Sequence, residues 1–151
     1  MNRCLRALLL LLLGASPDWG AAATFVLDDS ASVVQQPSVQ IKWRETGPGR
    51  GASTLADAST RVNLVLNTHP WAGRAARVYM VLAPQPVRVT ARWTTRGILL
   101  PGQLQSGART LVFEGVVPAT LQDLLEVMVS TDGRELGVAQ RLRFTYEIEL
   151  N

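Results

Sequence analysis

Apolar and polar residues alternate with a period of two along most of this chain, which is the pattern of β-strands with one buried face. In the segment RVNLVLN, Val62, Leu64 and Leu66 share one face and the asparagines occupy the other. The segment VRVTARWT places Trp93 on the inward face. Further strands are predicted in VQIKW (39–43), RVYMVLAP (77–84), ARTLVFEG (108–115), LLEVMVS (124–130) and QRLRFTYEIEL (140–150).

The segments between these predicted strands are rich in glycine and proline. ETGPGRGAST (45–54) and HPWAGRA (69–75) are predicted to be loops, and the pair Asp132-Gly133 is a strong hairpin signal. For PATLQDLLEV (118–127) we favour a loop leading into a strand over a short helix. Strands at this spacing predict an all-β sandwich.

The first 23 residues have the features of a secretory signal peptide. Arg3 and Arg6 precede an apolar run over residues 7–13, and three alanines precede Thr24. The run is shorter than the roughly 20 residues needed to cross a bilayer. We therefore expect cleavage before Thr24 and export from the cytoplasm.

Cysteine and charge limit the classes of function. Cys4 is the only cysteine and lies in the predicted signal peptide, so the remaining 128 residues contain none. The domain must then be stabilised by core burial or by association rather than by disulfides. Loss of Arg3, Arg6 and Asp18 lowers the net charge from +3 to +2, which does not indicate nucleic-acid binding.

The candidate chemical residues do not form a catalytic site. His69 has no partner residue for a triad or a metal site, and the glycines of residues 47–51 lack the motif of a phosphate-binding loop. Glu147 and Glu149 alternate with apolar residues, so they are predicted on the solvated face of the last strand. We predict no enzyme activity, no metal and no cofactor.

The segments SASVVQQPSVQIKW, TARWTTRGILL and LQDLLEVMVS resemble the strands of the colonisation-factor type of pilin, the alternate or α class assembled by a chaperone and an usher. The first segment is similar to that family's arm, proline and following strand. The order of signal peptide, extended arm and cysteine-free sandwich is also similar to this family.

The resemblance implies an incomplete immunoglobulin-like sandwich (residues 37–151) preceded by a donor-strand arm (residues 24–36). The arm of one subunit would complete the sandwich of the next, by β-strand addition. The implied partners are other pilin subunits, a periplasmic chaperone and an outer-membrane usher, and the implied location is the periplasm and then a surface fimbrium. Pro37 is the expected hinge. The donor residues expected on one face of the arm are Phe25, Leu27, Ala31 and Val33.

Other interpretations remain open at this stage. The arm could be an ordinary first strand that pairs within its own domain. Asp29 departs from the apolar pattern of the family, so either the register slips by one residue and turns Val26 inward, or the pocket for Asp29 is shallow and wet. The alternative function is a secreted carbohydrate-binding sandwich that uses Trp71 and the loops at Gly47 and Gly73. A periplasmic chaperone would need two domains, and this chain has room for one.

Overall fold

The computed structural model describes residues 23–36, 42–43, 55–132 and 142–150. Apart from one turn of 3-10 helix at His69–Trp71, its regular elements are strands. They are β1 (Thr24–Val26), β2 (Val33–Val34), β3 (Lys42–Trp43), β4 (Leu55–Asn67), β5 (Ala75–Leu82), β6 (Val89–Thr95), β7 (Gly102–Gln105), β8 (Arg109–Val116), β9 (Thr120–Asp132) and β10 (Phe144–Leu150).

The described strands form two antiparallel sheets. Sheet I has the order β1-β10-β5-β8, and sheet II has the order β2-β4-β9-β6-β7, with β3 pairing with β4. β2 and β3 lie one after the other along the same edge of β4, because its opposite edge pairs with β9 over thirteen residue pairs. The predicted all-β class is confirmed.

The core lies between the two sheets and contains side chains from both. Alternation sets which residues enter it, because successive side chains of a strand point to opposite faces. The predicted inward positions Leu64, Leu66 and Trp93 are buried, and Val62 is half-buried against the core. The inward side chains of β5 and β10 that join them are Ala76, Val78, Met80, Leu82, Tyr146 and Ile148.

Trp93 is the largest fully buried side chain, and its surroundings explain a strand that the alternation did not predict. Its indole Nε1 donates a hydrogen bond to the Leu100 carbonyl at 3.0 Å. β7 passes so close to the indole that a Cβ on Gly102 would lie 2.8 Å from Trp93 Cζ2. Glycine is therefore required at the start of β7, although glycine lowers strand propensity in a sequence.

The segment predicted as a loop leading into a strand at 118–127 is strand from Thr120 onward. Asp123 therefore faces the core and Glu126 faces solvent. A helix would have placed the two acids on one face. Gly133 of the predicted hairpin turn and the glycine-rich segment 45–54 lie outside the described residues, as do residues 1–22 of the predicted signal peptide and Pro37.

Candidate strand-pairing site

The N-terminal arm consists of two short strands that join different sheets. β1 pairs with β10 of sheet I, and β2 pairs with β4 of sheet II. Between them the chain turns, with the Ser32 N–H donating to the Asp29 carbonyl at 2.8 Å and the Ser30 N–H donating to Asp28 Oδ1 at 2.9 Å. Aspartate and serine favour such turns because their side chains bond to nearby backbone groups. The arm is therefore not one continuous strand.

β1 covers only part of the edge of β10. Its register is Thr24↔Glu149, Phe25↔Ile148 and Val26↔Glu147, and the Leu27 N–H donates to the Tyr146 carbonyl at 2.8 Å. On its other edge β10 pairs with β5 along its whole length. Among the described residues, no strand pairs with the β1-facing edge at Phe144 and Thr145.

The predicted donor residues divide into two pairs. Phe25 of β1 and Leu27, which follows β1, are two residues apart and point to the same side. Leu27 is 4% exposed and part of the core, whereas Phe25 is 42% exposed and its ring lies 5.4 Å from that of Trp71. Ala31 lies in the turn and is exposed, and Val33 of β2 is 56% exposed. Within this single chain the four residues do not lie on one face, because the turn interrupts the alternation after Leu27.

The turn also determines the position of Asp29 in this chain. Val26 is 69% exposed, so β1 as paired here does not have the one-residue slip that would turn Val26 inward. Burial of the phenol raises the pKa of Tyr146, and the charge of the half-buried Asp29 raises it further. Asp29 itself has no strand assignment and directly precedes the turn residues Ser30 and Ala31.

The segment that follows the turn is hydrogen-bonded to β4. The Ser32 hydroxyl accepts from the Val65 N–H at 2.9 Å and donates to the Val65 carbonyl at 3.1 Å. The Gln35 N–H donates to the Arg61 carbonyl at 2.9 Å. Through the two bonds to Val65, the Ser32 side chain takes the place of a backbone partner at this edge.

Ion pairs connect β8 and β10 on the outer face of sheet I. Arg109 of β8 contacts Glu149 at 2.8 Å and Glu147 at 3.6 Å, and its guanidinium lies 4.3 Å from the centre of the Tyr79 ring. The hydrogen bond from Arg109 lowers the pKa of Glu149. The two glutamates lie on the outward face of β10, but they are less solvated than predicted, because their ion pairs with Arg109 leave the Glu147 side chain 27% and the Glu149 side chain 17% exposed. These ion pairs link β10 to β8 across β5.

The other predicted candidate residues do not meet in one site. His69 is exposed, and its backbone N–H bonds to Asn67 Oδ1 at 3.1 Å. Trp71 is half-buried against the core and contacts Phe25, so its ring is already packed, and Gly47 is not among the described residues. Within the described residues there is no cluster of metal-ligating side chains and no helix long and apolar enough to cross a membrane.

A shallow groove of about 620 Å³ crosses the outer face of sheet II. Arg61, Glu126 and Met128 form part of its lining, and Gln35 and Gln36 of the arm flank it. It is not adjacent to the residues predicted for carbohydrate binding, since neither Trp71 nor Gly73 is among its lining residues in the described chain.

Comparisons with protein families, with characterised proteins and with solved structures found no match to this chain.

Proposed function

We propose that this protein is a structural subunit of a surface fibre, and that copies of the chain polymerise by exchanging β1. Each copy would give its β1 to the edge of β10 in the next copy and receive the β1 of another. The observation that carries the proposal is the position of β1. It is a three-residue strand, and the residue that follows it, Leu27, is 4% exposed and lies in the core beside the last described strand.

The order of the strands supports an incomplete immunoglobulin-like fold. Immunoglobulin sandwiches have the strands A-B-E-D in one sheet and G-F-C in the other. Here β2-β4-β9-β6 corresponds to the first sheet and β1-β10-β5 to the second, with β7 and β8 inserted between D and E. In this correspondence the place of the last strand, G, is taken by the first strand of the chain.

A strand in this position can be exchanged at little cost in contacts. The same backbone bonds to β10 and the same pocket for Leu27 serve a β1 from either copy. Exchange of identical elements between copies is a known route to association, and a head-to-tail exchange that does not close gives a filament. The proposed partners are therefore further copies of this chain, a chaperone that covers the β10 edge before assembly, and an outer-membrane usher. The proposed route leads through the periplasm to the cell surface.

The carbohydrate-binding alternative has no specific observation in its favour. Trp71, the aromatic residue on which it relied, is packed on Phe25 and the core. We therefore keep the fibre subunit as the proposed function.

Leu27→Asp tests the proposal, with Val26→Asp as the matched control on the neighbouring residue. Leu27 is 4% exposed and Val26 69% exposed, and burial of an unpaired carboxylate is strongly unfavourable. We expect fibres from the parent chain and from Val26→Asp, and none from Leu27→Asp, in electron micrographs and size-exclusion chromatography. Normal fibres from Leu27→Asp would contradict the proposal.

A second form of the experiment covers the case in which Leu27→Asp does not fold. A chain lacking residues 24–34 is extended at its C-terminus by a flexible linker and a copy of residues 24–37. We expect this chain to be a soluble monomer with a higher Tm than the chain without the added copy, because a bound strand stabilises the folded state. A copy with Leu27→Asp should give no such increase.

A further inference from the structure

We infer that exchange moves only residues 24–27, and that Ser32 to Gln36 remain bound to β4 of their own copy. The hinge is then the turn at residues 28–31 and not Pro37. This inference rests on the proposed function and specifies which part of the arm passes between copies.

The contacts on the two sides of the turn have different partners. All backbone bonds of β1 go to β10, and Leu27 enters the core beside Tyr146. β1 is thus held by one sheet edge and one buried side chain, and an identical β1 from another copy can supply both.

The segment after the turn makes a larger set of bonds to a single long strand of its own copy. The two bonds of the Ser32 hydroxyl to Val65 are joined by the bond from Gln35 to Arg61, and the Thr60 hydroxyl donates to the Gln36 carbonyl at 3.1 Å. The β2 register Val33↔Asn63 and Val34↔Val62 lies between them. Exchange of the whole arm would break all of these bonds at once.

The turn itself has few ties to either sheet. Ser30 and Ala31 are exposed, and the described bonds of this segment are mainly within the turn. Its described connection to a sheet is the isolated β-bridge between Asp28 and Asn67, in which the Asn67 N–H donates to the Asp28 carbonyl at 2.9 Å. Opening the turn therefore breaks this one bridge to the body of the domain. When extended, the four residues 28–31 span roughly 13 Å. This length exceeds the ~10 Å that separates two packed sheets.

The consequence is a close contact between neighbouring copies. Only residues 28–31 would separate the anchored Ser32 of one copy from the Leu27 inserted in the next. So short a connection keeps the effective concentration of the donor strand high, provided that it can span the two sites.

Two cysteine pairs test which strands cross between copies, in a Cys4→Ser background that removes the only natural cysteine. The first pair, Val26→Cys with Glu147→Cys, joins β1 to β10. The second pair, Val34→Cys with Val62→Cys, joins β2 to β4. In each case the backbone hydrogen bond belongs to the adjacent pair, from Leu27 to Tyr146 and from Gln35 to Arg61, so the two residues of each chosen pair are not hydrogen-bonded to each other. Antiparallel pairs of this kind have the short Cα separation that a disulfide requires.

Fibres of each variant are oxidised, denatured and separated on a non-reducing gel. We expect the first pair to give a ladder of covalent oligomers with loss of the monomer band, and the second pair to run as a monomer. Reduction should collapse the ladder. The four single-cysteine variants, treated in the same way, should give no ladder beyond a dimer, which controls for random cross-linking.

The outcomes separate the inference from the function on which it rests. Ladders from both pairs would overturn the inference and move the hinge beyond β2, while strand exchange would stand. Fibres in which the first pair stays within one chain would overturn strand exchange, and absence of fibres from the parent chain would overturn the proposed function.

Discussion

Asp123 is a buried carboxylate that holds a loop between two strands of sheet II. It lies on β9, is 6% exposed and faces the core. Its two oxygens accept the backbone N–H groups of Leu124 at 2.7 Å, Leu99 at 2.9 Å and Arg96 at 3.3 Å. A Cβ on Gly97 would lie 2.8 Å from Oδ1, so the loop between β6 and β7 is shaped around this carboxylate.

Asp123→Ala should lower the free energy of unfolding by about 2–4 kcal/mol. Hydrogen bonds to a charged group contribute about 1.5–3 kcal/mol each, and a buried N–H without an acceptor, here that of Leu99, costs about 1–3 kcal/mol. Removal of the desolvation cost of the carboxylate offsets part of this loss. A change of this size corresponds to a decrease in Tm of roughly 10 °C for a domain of this length.

Two further variants separate the hydrogen bonds from the charge and the volume. Asp123→Asn keeps the volume, but its amide nitrogen must face a backbone N–H donor, so we expect a loss of more than about 1 kcal/mol. Glu126→Gln is the control on the same strand. Glu126 faces outward and pairs with the exposed Arg61 and Arg96, and such surface pairs contribute about 0–1 kcal/mol.

Urea unfolding followed by tryptophan fluorescence measures these differences. Trp93 is a suitable reporter because its indole donates to the Leu100 carbonyl in the same loop. If Asp123→Ala and Glu126→Gln lose the same small amount of stability, the carboxylate does not hold the loop and the reasoning is refuted.

Two further predictions concern a close approach in the core and a pH dependence. Gly102→Ala should destabilise the fold by about 1–3 kcal/mol in urea unfolding, because the new methyl group would meet the rigid Trp93 ring at 2.8 Å; unchanged stability would contradict the packing described here. Because Arg109 lowers the pKa of Glu149 below its usual value of 4.5, the ion pair stabilises the folded state above that pH, and this contribution is lost as the pH falls through the lowered pKa. The Tm of Glu149→Gln should therefore fall less steeply between pH 5 and pH 3 than that of the parent chain, and equal slopes would contradict the assignment.

Several features of the fold follow from local sequence patterns. The alternation of RVNLVLN placed Leu64 and Leu66 on an inward face, and these side chains are buried. In the last strand, the apolar residues that alternate with Glu147 and Glu149 include Tyr146 and Ile148, which are also buried. Trp93 was placed in the core for the same reason. These predictions succeed because the two faces of a strand are set by the backbone, whatever strand lies beside it.

Other features were missed because a local pattern gave the wrong signal. β7 begins at a glycine that is needed for the close approach of Trp93, and a glycine in the sequence suggests a turn rather than a strand. Asp123 is a charged residue at an inward position, and its burial depends on N–H donors from the loop between β6 and β7. Periodicity alone does not reveal such donors.

For the arm, the sequence by itself determined which side chains alternate, and the tertiary structure decided which strands they meet. Alternation predicted one face for Phe25, Leu27, Ala31 and Val33, but in the structure a turn follows Leu27 and directs the chain to the other sheet. The pairing of Val26 with Glu147 joins residues from opposite ends of the chain. A period of two specifies which face of a strand is buried, but it does not specify which neighbouring strand the chain pairs with. The hydrogen bonds of that pairing come from the backbone, and the backbone is the same at every residue other than proline.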